Sequence, residues 1–337
     1  MRLTDHFSEQ WFGFLFVVGL FLFVSQKQVF ANQSEHADLK IRFKFASVEQ
    51  GQQILLKEDD FAKRLTTFDR KIRLQTTDDP GLAAILEFSA NQVLPWTKHE
   101  KLVLNKAIDR LRPMLLTFDF QSEKTVLLIK TSGKEESNAA YTRGNAIIFP
   151  KKKIGSPERP AVRLLAHELF HVLSRADPEL RDRLYRLIGF KRVKQIQLPT
   201  DLEQKRITNP DAPRMEHVME IMTEQGKTIV VTPFIFSKRE FETTESNLFR
   251  YLNFQLLEVV ENQDGVWVPV LAEDRPNLID PSHPDYWRQI GKNTQYIIHP
   301  EEIIADNFAL MMTGAEAEDK MLIASVKQEF QVNRKAD

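Results

Sequence analysis

The sequence predicts an α+β fold. Two strand-like runs, Lys124 to Lys130 (KTVLLIK) and Asn145 to Pro150 (NAIIFP), stand directly before a long apolar helical segment through RLLAHELFHVLSRA. A second block of β-like runs, from Thr228 to Leu271, precedes a final pair of helices. Strands and helices grouped in this way are the α+β pattern.

Taken in order, the chain opens on Trp11 to Val24 (WFGFLFVVGLFLFV), fourteen residues without a charge. A membrane span needs roughly 20 residues, so the run suits the apolar part of a secretory leader, residues 1–31, cleaved after Val29-Phe30-Ala31. Asp5 and Glu9 beside Arg2 depart from the usual positive start, and an uncleaved anchor is the alternative; only then would the chain touch a membrane. Leu39 to Phe45 alternates as a short strand, and the next fifty residues read as short helices broken by turns such as Thr76 to Gly81. Lys98 to Leu116 is a better helix, with Leu102, Leu104, Ile108, Leu111 and Leu115 near helical spacing. Ser156-Pro157-Glu158 starts the apolar helix, and Asp177-Pro178-Glu179 caps a second one to about Ile188. Residues 190–227 are polar and mixed, and Asn209 to Pro213 reads as a plain turn in preference to the frame of a cleft. Thr228 to Phe236 is a strand, and Phe254 to Glu261 pairs with Val266 to Leu271 across Asn262-Gln263-Asp264-Gly265. The organisation expected is a leader at 1–31, a flanking region at 32–115, and a main domain at 116–337 with an inserted hairpin region around 228–271.

The 337 residues include 46 Lys and Arg against 47 Asp and Glu, which argues against a generic polyanion binder and against a nucleic-acid partner. No cysteine is present, which removes disulfide scaffolds, Cys-ligated zinc, iron–sulfur clusters and thiol nucleophiles together. No phosphate loop and no G-x-S-x-G motif occurs. Chemistry is left to His, carboxylate, Ser/Thr, Lys or Tyr. Export fits a cysteine-free chain best in a bacterial periplasm or exterior.

His167-Glu168-Leu169-Phe170-His171 is an H-E-x-x-H on the apolar helix. Four residues advance a helix by about 400°, so both imidazoles fall on one face and reach one metal ion. Glu168, about 100° around from His167, leans over a water on that ion. Two histidines and a glutamate on a core helix are costly unless something satisfies them.

This segment resembles the zincin metallopeptidases, and the resemblance implies zinc on His167 and His171 with Glu168 as general base. The metzincin branch continues with a Gly and a third His; Val-Leu-Ser-Arg-Ala-Asp follows His171 here, which excludes it. The gluzincin branch takes its third ligand from a later Glu-x-x-x-Asp helix. His299-Pro300-Glu301-Glu302-Ile303-Ile304-Ala305-Asp306 supplies that pattern. By resemblance Glu302 is the third ligand and Asp306 the partner of a ligand histidine, with Glu301 competing for the ligand role. Acidic residues that merely complement a helix dipole are the bland alternative. The fold implied is zincin-like: a small mixed sheet packed on the active-site helix, with a mostly helical C-terminal part.

The zincins resembled hold extended substrates on an edge strand upstream of the metal helix. Gly144 to Phe149 stands in that place, with Asn145, Ala146 and Ile147 as the contact residues expected. Tyr286, Tyr296, His283 and His217 are all candidates to stabilise an oxyanion, and spacing does not choose among them. Lys151-Lys152-Lys153 reads as a solvated charge run in preference to a binder of acidic substrate. The function expected is an exported zinc-dependent peptidase acting on a peptide or protein substrate. Its rival is a non-catalytic exported module that keeps zinc to pin two helices, with His217 or His299 as a fourth ligand.

Overall fold

The computed structural model describes residues 40–120, 122–154 and 158–331, with backbone alone at 158–160. The leader expected at 1–31 lies outside the described residues. No described helix is long and apolar enough to cross a membrane. The fold is α+β.

Strands β1 (Ile41–Phe45), β2 (Val93–Leu94), β3 (Lys124–Thr131), β4 (Tyr141–Arg143) and β5 (Ala146–Pro150) form a five-stranded mixed sheet in the order β1-β3-β5-β4, with β2 also on β3. The β1–β3 and β3–β5 pairs are parallel, whereas β4–β5 and β2–β3 are antiparallel. Four short helices fill the chain between β1 and β2: α1 (Val48–Leu55), α2 (Asp60–Lys63), α3 (Thr67–Leu74) and α4 (Leu82–Ala90). Capping boxes start α1 (Ser47 with Gln50) and α3 (Thr66 with Asp69), which satisfies backbone donors that a short helix leaves open.

Helix α5 (Lys98–Leu115) also starts from a capping box, Thr97 with Glu100. Its Leu104, Ile108, Leu111 and Leu115 are buried, but Leu102 is 53% exposed. Residues 102 and 104 stand about 200° apart on a helix and cannot share a face. The H-E-x-x-H helix then follows the short α6 (Lys151–Ile154) as α7 (Glu158–Ala176), and α8 (Pro178–Arg186) is capped by Asp177, which accepts from Leu180 N.

The sheet is covered on both sides, and the period of two in β3 and β5 decides which side chain goes where. Val126, Leu128, Ile147 and Phe149 join the core that holds α5 and α7, while Ile129, Ala146 and Ile148 pack with Leu55 and Ala90 of α1 and α4. The region expected as flanking is 32–115; its described part, residues 40–115, supplies β1, β2 and α5 to the layers that carry α7. Each large apolar side chain buried here contributes roughly 1.5–3 kcal/mol.

A second sheet takes up more of the chain than the hairpin expected around 228–271. It is six-stranded and antiparallel, built from β6 (Phe190–Arg192), β7 (His217–Met222), β8 (Thr228–Ser237), β9 (Leu252–Glu261) and β10 (Trp267–Pro269), with Leu278–Ile279 also on β9. Its first two strands lie in the stretch 190–227, where polar residues hide them; the short α9 (Thr200–Glu203) separates them. The expected hairpin forms, with Val260 opposite Val268. The chain closes with α10 (Pro284–Ile290), α11 (Pro300–Thr313) and α12 (Lys320–Gln331). Helix α11 packs on α7 through fully buried Ala305, Ala309 and Phe308, and the rings of Phe170 and Phe308 stand 5.6 Å apart.

The expected substrate edge is corrected by the sheet order. Strand β5 is paired on both sides, by β3 and by β4, so Ala146 and Ile147 are buried inside the sheet and offer no free edge. Asn145 is a turn residue whose amide donates to Thr125 O at 2.8 Å. The outer strand is β4, joined to β5 by a two-residue turn in which Gly144 takes φ +57°.

Candidate metal centre

Two helices meet at the site. Helix α7 brings His167, Glu168 and His171, and α11 brings Glu301, Glu302 and Asp306 in its first two turns. Helix α11 starts cleanly because His299 is its N-cap, accepting from Glu301 N at 3.0 Å through Nδ1, and Pro300 takes the first helical position. The small buried Ala305 and Ala309 let the two backbones approach.

Each imidazole is fixed by a carboxylate on its Nδ1. His167 Nδ1 donates to Asp306 Oδ1 at 3.1 Å, and His171 Nδ1 donates to Glu301 Oε1 at 2.9 Å. Glu301 is itself held by Ser174 Oγ at 2.5 Å and by the Tyr185 hydroxyl; Asp306 is held by the Thr294 hydroxyl. That leaves Nε2 of both rings for a further partner, and both point to one atom. Glu302 Oε2 lies 3.1 Å from His167 Nε2 and 3.6 Å from His171 Nε2. The other Glu302 oxygen accepts from Asn209 Nδ2 at 2.7 Å.

Two ring nitrogens and a carboxylate oxygen converging in a buried place need positive charge, either ring protons or one cation. Bonds of about 2.0–2.1 Å to a tetrahedral zinc ion set ligand atoms about 3.3 Å apart, and the two distances straddle that value. The donor set of two imidazoles and a carboxylate also suits zinc. Glu168 is 3% exposed, and its Oε2 has no hydrogen-bond partner among the described residues. An oxygen left bare in such a place fits a carboxylate kept for a water or substrate atom.

The electrostatics of the metal-free chain agree. Burial opposes charge on His171, but Asp211, Glu302 and the bond to Glu301 outweigh it and lift the pKa to about 9. His167 is raised in the same way, against burial, by its bonds to Asp306 and Glu302. Burial pushes Glu168 upward, and the neighbouring Asp211 adds to the shift. Burial would also raise Glu302, yet His171, His167 and Asn209 hold it well below the usual carboxylate range.

A cleft of about 810 Å³ opens at the centre, lined by Ala139, Ala140, His167, Glu168, Tyr296 and Glu302 among others. Of the four candidates for an oxyanion donor, Tyr296 alone lines this cleft; its ring stands 6.3 Å from that of His167. Tyr286 is in the core with its hydroxyl on Ile297 O, and His283 caps α10. His217 and His299 line a different cavity of about 420 Å³ and stand outside the donor cluster. Lys152 and Lys153 reach the cleft rim.

Asn209 and Asp211 join the site from the segment read as a plain turn. Single oxygens of Asp211 and Glu168 and a ring nitrogen of His171 lie within 4.8 Å of one another. The Asn-Pro-Asp sequence signals a turn, but nothing in it signals which part of the molecule the turn meets. The β4 strand did carry a signal: Gly144-Asn145 between Tyr141-Thr142-Arg143 and Ala146-Ile147-Ile148 is a two-residue hairpin.

Residues 130–179 match the family model for the eCIS core domain, a family associated with zincin-like proteins of extracellular contractile injection systems. The match spans β4, β5 and α7, hence His167, Glu168 and His171, and stops before Asn209, Asp211, Glu302 and Asp306. No curated protein and no solved structure matches the chain.

Proposed function

We propose that the chain is an exported zinc-dependent peptidase of gluzincin type. The observation that carries this reading is the meeting of His167 Nε2, His171 Nε2 and Glu302 Oε2 beside the bare Glu168 Oε2. His167, His171 and Glu302 would hold the ion. Zinc supplies Lewis acidity there, polarising a scissile carbonyl and acidifying water. Glu168 takes the proton of the attacking water and hands it to the leaving amine nitrogen. Tyr296 offers its hydroxyl to the carbonyl oxygen as negative charge builds. Asp306 and Glu301 keep both rings turned so that Nε2 faces the centre. The family match over α7 supports the zincin assignment, and the leader expected at the N-terminus supports export to a bacterial periplasm or exterior.

The rival reading, a zinc-stabilised module without catalysis, draws on Asp211, one oxygen of which lies within 4.8 Å of a His171 ring nitrogen and a Glu168 oxygen. The comparison that decides is zinc content and casein cleavage for the wild type and Glu168→Gln. The variant should keep about one zinc per chain and lose cleavage. A wild type that binds no zinc after reconstitution would sink the peptidase reading; zinc without cleavage in the wild type and also in variants that release Asn209 to Pro213 would favour the rival.

A further inference from the structure

The outer edge of β4, where an extended substrate would add a strand, is already taken. Thr142 N donates to Asp211 Oδ1 at 2.8 Å, and the Thr142 hydroxyl donates to the same oxygen at 2.5 Å. Two residues on, the Gly144 carbonyl accepts from Arg175 Nη1 at 3.0 Å. Arg175 Nη2 also donates to Thr142 Oγ1 at 2.9 Å and to the Asp211 carbonyl at 3.4 Å. An antiparallel edge strand turns the main-chain groups of alternate residues outward, and these are the groups with which an added strand pairs.

The segment that takes them is built in, not loosely laid across. Asp211 N donates to Asn209 Oδ1 at 2.9 Å, while Asn209 Nδ2 grips Glu302. Just upstream, Thr208 N donates to Asp69 Oδ1 at 3.1 Å and the Thr208 carbonyl accepts from Arg73 at 3.2 Å. Asp211 lines both the cleft at His167 and Glu168 and the smaller cavity beyond it, so the segment partitions what would be one groove along β4. The far cavity is lined by His217, which is 3% exposed and whose Nε2 stands 3.6 Å from Asp182 Oδ1.

We propose that Asn209 to Pro213 is an autoinhibitory strap. It takes the place of the substrate on β4 and sets the Asp211 carboxylate against His171 and Glu168, so that an extended peptide cannot seat along β4 until the strap is displaced. The proposal rests on the peptidase reading, and the substrate class it implies is an extended peptide that spans both cavities.

Two variants test it, Asp211→Ala and Arg175→Gln; the second leaves every carboxylate at the centre in place. In the zinc-free protein, amide hydrogen exchange at Thr142 should speed up about tenfold in Asp211→Ala, which removes the acceptor of its N–H, and should also speed up in Arg175→Gln, which frees the Asp211 carbonyl and so loosens that acceptor. In the zinc-loaded protein, cleavage of fluorescein-labelled casein should rise at least about tenfold in each, because the competent fraction sets the apparent activity. Unchanged exchange at Thr142 in both folded variants overturns the strap. So does faster exchange with equal or lower cleavage, which would make Asp211 a helper of the chemistry. If neither the wild type nor either variant cleaves casein with zinc bound, the peptidase reading fails and the strap with it. Cleavage by the wild type at a rate that both variants share defeats the strap alone.

Discussion

Asp306 accepts a hydrogen bond from His167 Nδ1 at 3.1 Å, one helical turn beyond Glu302, whose Oε2 meets the other nitrogen of the same ring at 3.1 Å. One helix face thus holds both ends of one imidazole. Asp306 is anchored by the Thr294 hydroxyl, so the ring cannot turn without breaking a chain of three groups. Asp306→Asn should therefore lower zinc affinity by about 10–100-fold, the usual effect of losing such a partner. Competition with a chromophoric chelator measures it, and an affinity equal to wild type would remove Asp306 from the site.

Glu301 and Glu302 are neighbours with different work. Glu302 faces both Nε2 atoms, whereas Glu301 faces His171 Nδ1, Ser174 and Tyr185 on the side away from the centre. Glu302→Ala should accordingly cost more zinc affinity than Glu301→Gln, whose effect stays near about 10–100-fold. Titration of both variants in one assay gives the order. The reverse order would make Glu301 the ligand.

That division of labour marks the limit of what was legible in the sequence. The spacing of His167 and His171 puts two rings on one helix face whatever the rest of the chain does. Glu302 and Asp306 were legible through resemblance, because a helix again fixes their spacing. Glu301 was not separable from Glu302 by sequence: adjacent residues on a helix stand about 100° apart, and only packing against α7 decides which faces which nitrogen. Asn209 and Asp211 were out of reach for a related reason. A loop's local chemistry sets its turn, but its placement comes from distant contacts, here Thr142, Arg175 and Glu302. Strand β7 was hidden because His217 and Glu220 interrupt its apolar pattern, although its Val218, Met219 and Ile221 are buried.

Stability should depend on one buried ion network more than on the surface pairs. Arg73 is 4% exposed and donates to Asp69 Oδ1 at 2.7 Å, to Glu136 Oε1 at 2.7 Å and to Glu136 Oε2 at 2.9 Å. Arg73→Met would leave two carboxylates buried without their cation, a loss of about 3–5 kcal/mol. Because Arg73 also holds the Thr208 carbonyl, the variant should loosen the segment that leads to Asp211. Urea denaturation measures the first effect, and a loss under about 1 kcal/mol would show that the network relaxes or rehydrates.

Glu135 gives the fold a pH dependence of its own. It is 2% exposed, and burial, with the charge of Glu136 beside it, pushes its pKa up to about 7. A carboxyl raised in the folded state binds its proton more tightly there than in the unfolded chain. Its contribution is fully present below the unfolded value of about 4.5 and is lost as pH rises through 7. Above that, the buried charge costs up to about 3 kcal/mol, at about 1.36 kcal/mol per unit. Glu135→Gln keeps the shape and removes the charge. The variant should therefore unfold at higher urea than wild type at pH 8 and at nearly the same urea at pH 4.5. A difference that is equal at both pH values would mean that Glu135 is not neutral in the fold at low pH, or that a neighbouring cation satisfies it at high pH.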